Sequence, residues 1–132
     1  MADTWDVLVV DDEPVVRDGI RLILAAEGLR VAAVPDAESA LAHPAAASCR
    51  LLLCDLMLPD LYGIDLLKKL RAVRPDLPVA MITGYATAEN TARALDAGVC
   101  DFLPKPFTES ELLAVVWRAL GSVGGAPGGK SA

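Results

Sequence analysis

The chain has 132 residues, of which 54% are hydrophobic and 23% are charged, and its formal net charge is −6. This length and composition fit one globular domain with one core rather than a disordered chain. The acidic balance argues against direct binding of nucleic acid, no apolar run approaches the ~20 residues of a membrane helix, and the N-terminus lacks the basic segment of a signal peptide, so we expect a cytoplasmic protein.

Five short apolar segments predict β-strands. They lack the alternation of polar and apolar residues, which is typical of parallel strands that helices cover on both faces. The predicted strands are residues 6–10, 30–34, 50–55, 78–83 and 101–103. An α/β fold with a parallel sheet and right-handed crossovers follows from the helical segments between them.

The predicted helices are recognised by their caps and apolar spacing. The first begins at Pro14 and ends before Gly28, and the second has Asp36 as its N-cap and ends near His43. The third carries the apolar residues between 66 and 73, the fourth spans about residues 86–97, and the fifth begins after Thr108, with Glu111 as its capping-box partner. We expect residues 1–120 to form the domain and the Gly-rich residues 121–132 to form a flexible tail or linker.

The fifth predicted helix carries two apolar rows rather than one. The row suited to the core is Leu112, Val115, Val116 and Ala119. The second row, Leu113, Trp117 and Leu120, should be partly exposed or meet another surface, because one helix on a sheet buries only one broad face. Leu113 and Trp117 are therefore candidate contacts for dimerisation or for docking another domain, while the alternative is that Trp117 closes the edge of the domain.

Polar residues follow four of the predicted strands. Asp11 and Asp12 follow the first, Asp55 ends the third, Thr83 ends the fourth and Lys105 follows the fifth. The carboxyl ends of parallel strands line one crevice, where ligands bind in open α/β sheets. Three carboxylates, a hydroxyl and an ammonium together indicate a site for a divalent cation and a phosphoryl group. The alternative, in which the aspartates only cap turns and helices, leaves Thr83 and Lys105 unexplained.

Four motifs in this order resemble the receiver domain of two-component response regulators. They are Asp11-Asp12-Glu13, Asp55-Leu56-Met57-Leu58-Pro59-Asp60 with Gly63, Thr83-Gly84, and Lys105-Pro106-Phe107. The resemblance covers about residues 5–120. It implies a flavodoxin-like (βα)5 three-layer sandwich with a parallel five-stranded sheet of order 2-1-3-4-5.

The resemblance also implies the chemistry of the site. Asp55 matches the phosphoacceptor, which a carboxylate can be by attacking phosphorus. Asp12 and Asp55 would bind Mg²⁺ (or Mn²⁺) directly, Asp11 would bind it through water, and the backbone carbonyl of Met57 would be a further ligand.

Three further positions are implied to recognise the phosphoryl group and to respond to it. Lys105 and Thr83 would each contact a phosphoryl oxygen, and the Lys105–Pro106 peptide bond would be cis. Phe102 matches the switching aromatic of the family, which is more often Tyr. A Tyr at this position can form a hydrogen bond through its hydroxyl, which Phe lacks. Phe102 therefore either moves without such a hydrogen bond or is a core residue that never moves.

The implied partners are a sensor histidine kinase or phosphotransfer protein. Phosphorylation would favour a homodimer through the face of the fourth predicted helix, fifth strand and fifth helix, or would act on a C-terminal output domain missing from this chain. The resemblance implies no enzymatic activity beyond Mg²⁺-dependent self-phosphorylation and self-dephosphorylation.

Two other classes fit the sequence less well. A haloacid-dehalogenase-like phosphatase needs Asp-x-Asp after its first strand, which this chain lacks. A flavodoxin-like cofactor binder needs a Ser/Thr/Gly-rich phosphate loop there, where this chain has three acids in Asp11-Asp12-Glu13.

Overall fold

The computed structural model describes residues 4–121 of the chain. Its strands are β1 (Val7–Val10), β2 (Val31–Val34), β3 (Leu51–Asp55), β4 (Val79–Thr83) and β5 (Asp101–Pro104). Its helices are α1 (Pro14–Ala26), α2 (Ala37–Ala42), α3 (Ala45–Ser48), α4 (Gly63–Val73), α5 (Ala88–Asp96) and α6 (Glu109–Gly121). The strands form one parallel sheet in the order β2-β1-β3-β4-β5, which confirms the predicted fold.

The short helix α3 was not predicted. It lies between α2 and β3, so the crossover contains two helices where the sequence analysis had one. His43 and Pro44 separate them, and His43 Nδ1 accepts a hydrogen bond from the Ala45 backbone N–H at 2.9 Å. The predicted tail lies outside the described residues except for Gly121, which ends α6.

Capping side chains begin α2 and α6 as the sequence predicted. Asp36 Oδ1 accepts from the Ser39 backbone N–H at 2.7 Å at the start of α2. At the start of α6, Glu111 Oε1 accepts from the Thr108 N–H at 2.8 Å and Thr108 Oγ1 accepts from the Glu111 N–H at 3.1 Å. This reciprocal pair is the predicted capping box.

The sheet separates two apolar layers because successive strand residues point to opposite faces. Val7, Leu51 and Ala80 belong to the layer under α1 and α6. Leu8, Leu52 and Met81 belong to the layer under α2, α3, α4 and α5. Within residues 4–121 no helix combines the length and the apolar character that crossing a membrane requires.

The two apolar rows of α6 differ in how deeply they are buried. The core row, Leu112, Val115, Val116 and Ala119, is buried. Leu120 is also buried, in the same apolar layer as Ile20 and Leu24 of α1, so this member of the second row meets another surface rather than solvent. Leu113 and Trp117 are partly buried against the same layer.

Candidate functional site

The ends of β1 and β3 bring three carboxylates together. Asp11 follows β1 and is fully buried, Asp55 ends β3 and is nearly buried, and Asp12 is exposed. Each can offer an oxygen that lies within 4.8 Å of the oxygens offered by the other two. Since carboxylate oxygens are the ligands that Mg²⁺ takes in proteins, this cluster has the chemistry of a divalent cation site.

Asp11 has a buried carboxylate oxygen without a well-formed hydrogen bond. Its Oδ1 accepts from the Glu13 backbone N–H at 2.9 Å, whereas its buried Oδ2 lies 3.0 Å from Lys105 Nζ without forming a hydrogen bond of good geometry. Burial raises the pKa of Asp11, and the neighbouring charge of Asp55 adds to this against the lowering effect of the Glu13 N–H and Lys105. A buried oxygen without a proper partner fits a cation bound at this place.

Lys105 connects three carboxylates through one ammonium group. Its Nζ lies 2.9 Å from Asp55 Oδ2, 2.5 Å from Glu13 Oε1 and 3.0 Å from Asp11 Oδ2. Burial lowers the pKa of Lys105, but the hydrogen bonds to Glu13 and Asp55 and the neighbouring Asp11 carboxylate outweigh burial, so the pKa is raised above its ordinary value. The ammonium therefore stays charged at neutral pH.

Glu13 is a residue of this site that the sequence analysis did not single out. It is part of the first motif, but no spacing rule predicts that its carboxylate contacts a lysine 92 positions later in the chain. Its side chain is 57% exposed, whereas that of Lys105 is 14% exposed. The carboxylate therefore reaches Lys105 from the solvent side of the site.

The loop from β3 to α4 is held close to Asp55. Asp55 Oδ1 accepts from the Met57 backbone N–H at 3.0 Å, and the Gly63 N–H donates to the Leu56 carbonyl at 2.7 Å. A Cβ on Gly63 would lie 2.5 Å from the backbone oxygen of Asp55. Only glycine allows the start of α4 to approach the strand this closely.

Thr83 is buried at the end of β4. Its Oγ1 accepts from the Tyr85 backbone N–H at 2.9 Å. Its carbonyl accepts from the Lys105 backbone N–H at 2.7 Å, so the end of β4 also fixes the residue that carries the ammonium group. The Lys105–Pro106 peptide bond is cis.

A second hydrogen-bond chain links Thr83 to the opposite loop. Tyr85, whose N–H binds Thr83, accepts at its carbonyl from Asn90 Nδ2 at 2.7 Å, and Asn90 Oδ1 accepts from the Tyr62 hydroxyl at 3.4 Å. Tyr62 in turn forms a β-bridge with Met57. The loops after β3 and β4 are thus joined at the start of α5, which the sequence analysis did not predict.

Phe102 lies on β5, directly opposite Met81 of β4. It is partly buried and packs against the layer under α4 and α5. The ring is therefore neither fully exposed nor locked in the core.

Trp117 lies on the α1 side of α6, and Leu113 precedes it by one helical turn. Trp117 Nε1 donates to Glu27 Oε1, just after α1, at 3.4 Å. The next residue, Arg118, points the other way and binds Asp101 of β5. These two candidate interface residues are thus on the opposite edge of α6 from α5.

The site opens into a cleft of about 860 Å³. Asp12, Glu13, Asp55 and Lys105 line its polar end, and α1 together with Pro106 and Phe107 lines its apolar end. The cleft gives the carboxylate of Asp55 access from outside the protein.

Comparison with known proteins places these features in a family. The family model described as "Response regulator receiver domain" matches residues 7–117. The chain is 38% identical over 107 residues to the probable transcriptional regulatory protein TcrX of Mycobacterium tuberculosis, covering 81% of this chain and 46% of TcrX. It is 37% identical over 117 residues to the nitrogen assimilation regulatory protein NtrX of Azorhizobium caulinodans, covering 87% of this chain and 26% of NtrX. The chain thus spans less than half the length of these relatives.

Solved structures agree with these matches. A CheY-like receiver domain protein from Methanospirillum hungatei superposes with a TM-score of 0.82 at 33% identity, covering 91% of this chain and 96% of that one. The receiver domain of NtrX from Brucella abortus superposes with a TM-score of 0.81 at 39% identity, covering 89% of this chain and 99% of that one.

Proposed function

Because the chain belongs to the response regulator receiver domain family of two-component systems, we propose that Asp55 accepts a phosphoryl group from the phosphohistidine of a sensor histidine kinase or phosphotransfer protein. The domain then acts as a signalling acceptor in the cytoplasm rather than as an enzyme that turns over an external substrate. Its further activity is limited to its own phosphorylation and dephosphorylation.

The observation that carries this proposal is the environment of the Asp55 carboxylate. It lies at a cleft, beside two other aspartates and 2.9 Å from a lysine that stays charged. In the transfer, an Asp55 oxygen forms a bond to phosphorus while the bond between phosphorus and the donor imidazole breaks. The imidazole nitrogen keeps the electron pair and takes up a proton, so the protein needs to supply position and charge rather than acid–base catalysis.

A divalent cation fits the same residues. Asp11, Asp12, Asp55 and the Met57 carbonyl would hold Mg²⁺ or Mn²⁺, and the buried Oδ2 of Asp11 supports this because it has no well-formed hydrogen bond. When bound, such an ion neutralises the charge of the carboxylates and of the phosphoryl oxygens.

Thr83 and Lys105 are the proposed ligands of the phosphoryl oxygens and the start of the switch. The Thr83 hydroxyl accepts from Tyr85 at present, so its own proton is available to donate to a phosphoryl oxygen. Movement of Thr83 would pull on the loop before α5 and give the partly buried ring of Phe102 room to shift. The altered face of α5, β5 and α6, or the edge of α6 that carries Leu113 and Trp117, would then favour a homodimer or act on an output domain.

The test of Asp55 is phosphorylation by a small donor. Acetyl phosphate with Mg²⁺ should add one phosphoryl group to the wild-type protein, read as intact mass, and none to Asp55→Asn. Chelation of the metal should abolish the adduct. Asp65→Asn, which changes an exposed aspartate of α4, is the matched control and should react like the wild type. An equal adduct on Asp55→Asn would contradict the assignment.

A further inference from the structure

We propose that Glu13 is a positioning residue that competes with the phosphoryl group for Lys105. This inference rests on the proposed function, since it concerns the lysine that would bind a phosphoryl oxygen. The contact between Glu13 and Lys105, with 2.5 Å between Oε1 and Nζ, is the shortest of the three that this ammonium makes with carboxylates.

All three N–H groups of the Lys105 ammonium face carboxylates. A lysine has three N–H groups. Two of them donate to Glu13 and Asp55, and the third direction faces Asp11 Oδ2 at 3.0 Å. A phosphoryl oxygen on Asp55 can gain a hydrogen bond from Lys105 only if one of these contacts is given up or shared.

Glu13 is the partner that Lys105 can release at least cost. Asp11 is fully buried and Asp55 is nearly so, so either carboxylate would lose its contact with Lys105 without reaching water. The Glu13 side chain is more than half exposed, and its carboxylate can turn into solvent and be hydrated there. Phosphorylation should therefore exchange Glu13 for a phosphoryl oxygen on Lys105.

The negative charge of Glu13 should also weaken binding of the phosphoryl group, as its competition for Lys105 does. Its carboxylate is not one of the three that cluster for a cation, so an ion held by the aspartates is not placed to neutralise it directly. A phosphoryl group entering the site meets this negative charge at the lysine that should receive it. Glu13 therefore weakens binding of the phosphoryl group and keeps the unphosphorylated state favoured.

Beryllofluoride, which mimics a phosphoryl group on a carboxylate, provides the direct measurement. Calorimetric titration at saturating Mg²⁺ should show that Glu13→Gln binds beryllofluoride about two to five times more tightly than the wild type, a modest factor because a half-exposed ion pair is screened by water. A shift of the Lys105 ammonium NMR signal in apo Glu13→Gln, towards that of the beryllofluoride-bound wild type, should accompany it.

Two further variants separate the contact from the charge. Glu38→Gln removes the same charge from an exposed position on α2 and should leave the affinity unchanged. Glu13→Asp keeps the charge but is one methylene shorter, so it should loosen the contact and give a smaller gain than Glu13→Gln. An equal gain in Glu38→Gln would mean that net charge alone is responsible, and the inference would be overturned.

The outcomes also separate this inference from the proposed function. If the wild type binds beryllofluoride and Glu13→Gln binds it equally or more weakly, competition by Glu13 is wrong while the phosphoacceptor assignment stands. If the wild type itself fails to bind beryllofluoride with Mg²⁺, the proposed function is wrong and the inference falls with it.

Discussion

The two ends of the sheet treat their carboxylates differently. At the N-terminal end, Asp6 has both oxygens satisfied, by the Arg50 guanidinium at 2.8 Å and by the Arg30 backbone N–H at 2.7 Å. At the C-terminal end, Asp11, Glu13 and Asp55 share the single ammonium of Lys105. Aspartates that border the same strand, β1, are thus paired at one end and crowded at the other.

Aromatic side chains extend the contrast. At the N-terminal end, the Arg30 guanidinium lies 4.5 Å from the centre of the Trp5 ring, and Trp5 packs edge-on against His43. Trp117 binds Glu27 at the same end. Side chains at the N-terminal end of the sheet are paired with one another and stabilise the fold. The C-terminal end holds crowded, buried carboxylates whose repulsion a ligand can relieve, so the unfavourable electrostatics lie where the function is proposed.

Substitution of Gly63 should change the free energy of unfolding more than the other substitutions, because at the C-terminal end of the sheet this residue lies against the backbone of Asp55. Gly63→Ala places a Cβ 2.5 Å from the Asp55 carbonyl oxygen and should lower the free energy of unfolding by about 1–3 kcal/mol, as overpacking does. Gly19→Ala is the control, since nothing lies within 4 Å of its Cβ, and it should raise stability by about 0.5–1 kcal/mol. Urea unfolding measures both, and equal changes would mean that the close approach is not needed.

Substitution of Trp117 tests whether this residue at the N-terminal end of the sheet only stabilises the fold or also contributes to self-association. Trp117→Ala should lower the free energy of unfolding by about 1–2 kcal/mol, less than the ~3–5 kcal/mol of a fully buried aromatic, because the ring is only partly buried. We also expect weaker self-association of the beryllofluoride-treated protein in sedimentation.

Leu95→Ala tests the other candidate surface, because Leu95 is an exposed residue of α5, whereas Trp117 lies on the α1 side of α6. Loss of association in Leu95→Ala but not in Trp117→Ala would place any dimer on the face of α5, β5 and α6. The assignment of Leu113 and Trp117 to the interface would then be wrong.

Exchanging single aspartates compares the two ends most directly. In metal-free protein at neutral pH, Asp11→Asn should raise the free energy of unfolding by ~1 kcal/mol, and Asp6→Asn should lower it by ~1 kcal/mol. The reason is that Asp11 is a buried carboxylate repelled by Asp55, whereas Asp6 loses an ion pair with Arg50. Asp12→Ala should give a smaller gain, because Asp12 is exposed. Changes of the same sign in Asp11→Asn and Asp6→Asn would remove the contrast.

The pH dependence of Asp11 sharpens this comparison with the smallest effect. The pKa of Asp11 is raised in the folded protein above the ordinary 3.8. On acidification, Asp11 therefore takes up its proton at a higher pH in the folded state than in the unfolded state. Its contribution to stability is complete below pH 3.8 and is lost as the pH rises through the raised value. Acidification from pH 7 should therefore narrow the stability difference between Asp11→Asn and metal-free wild type, and a difference independent of pH would contradict the shift.

The positions of the main site residues were predictable from the sequence. Asp11, Asp55, Thr83 and Lys105 each stand at the end of an apolar segment, and parallel strands carry such residues to the same edge of a sheet. The caps at Asp36 and Thr108 were predictable for a similar reason, since each depends on residues within one helical turn.

Only the tertiary structure decided the contacts between distant segments. Glu13 reaches Lys105 across 92 positions, and Asp60 accepts from the N–H groups of Ala37 and Glu38 at 3.0 and 2.9 Å, where it helps to begin α2. Leu120 is buried because α1 lies beside α6 as well as the sheet. Local patterns fix which residues each strand and helix delivers to an edge or a face, but the paths of the loops and the packing of neighbouring helices determine which side chains meet there.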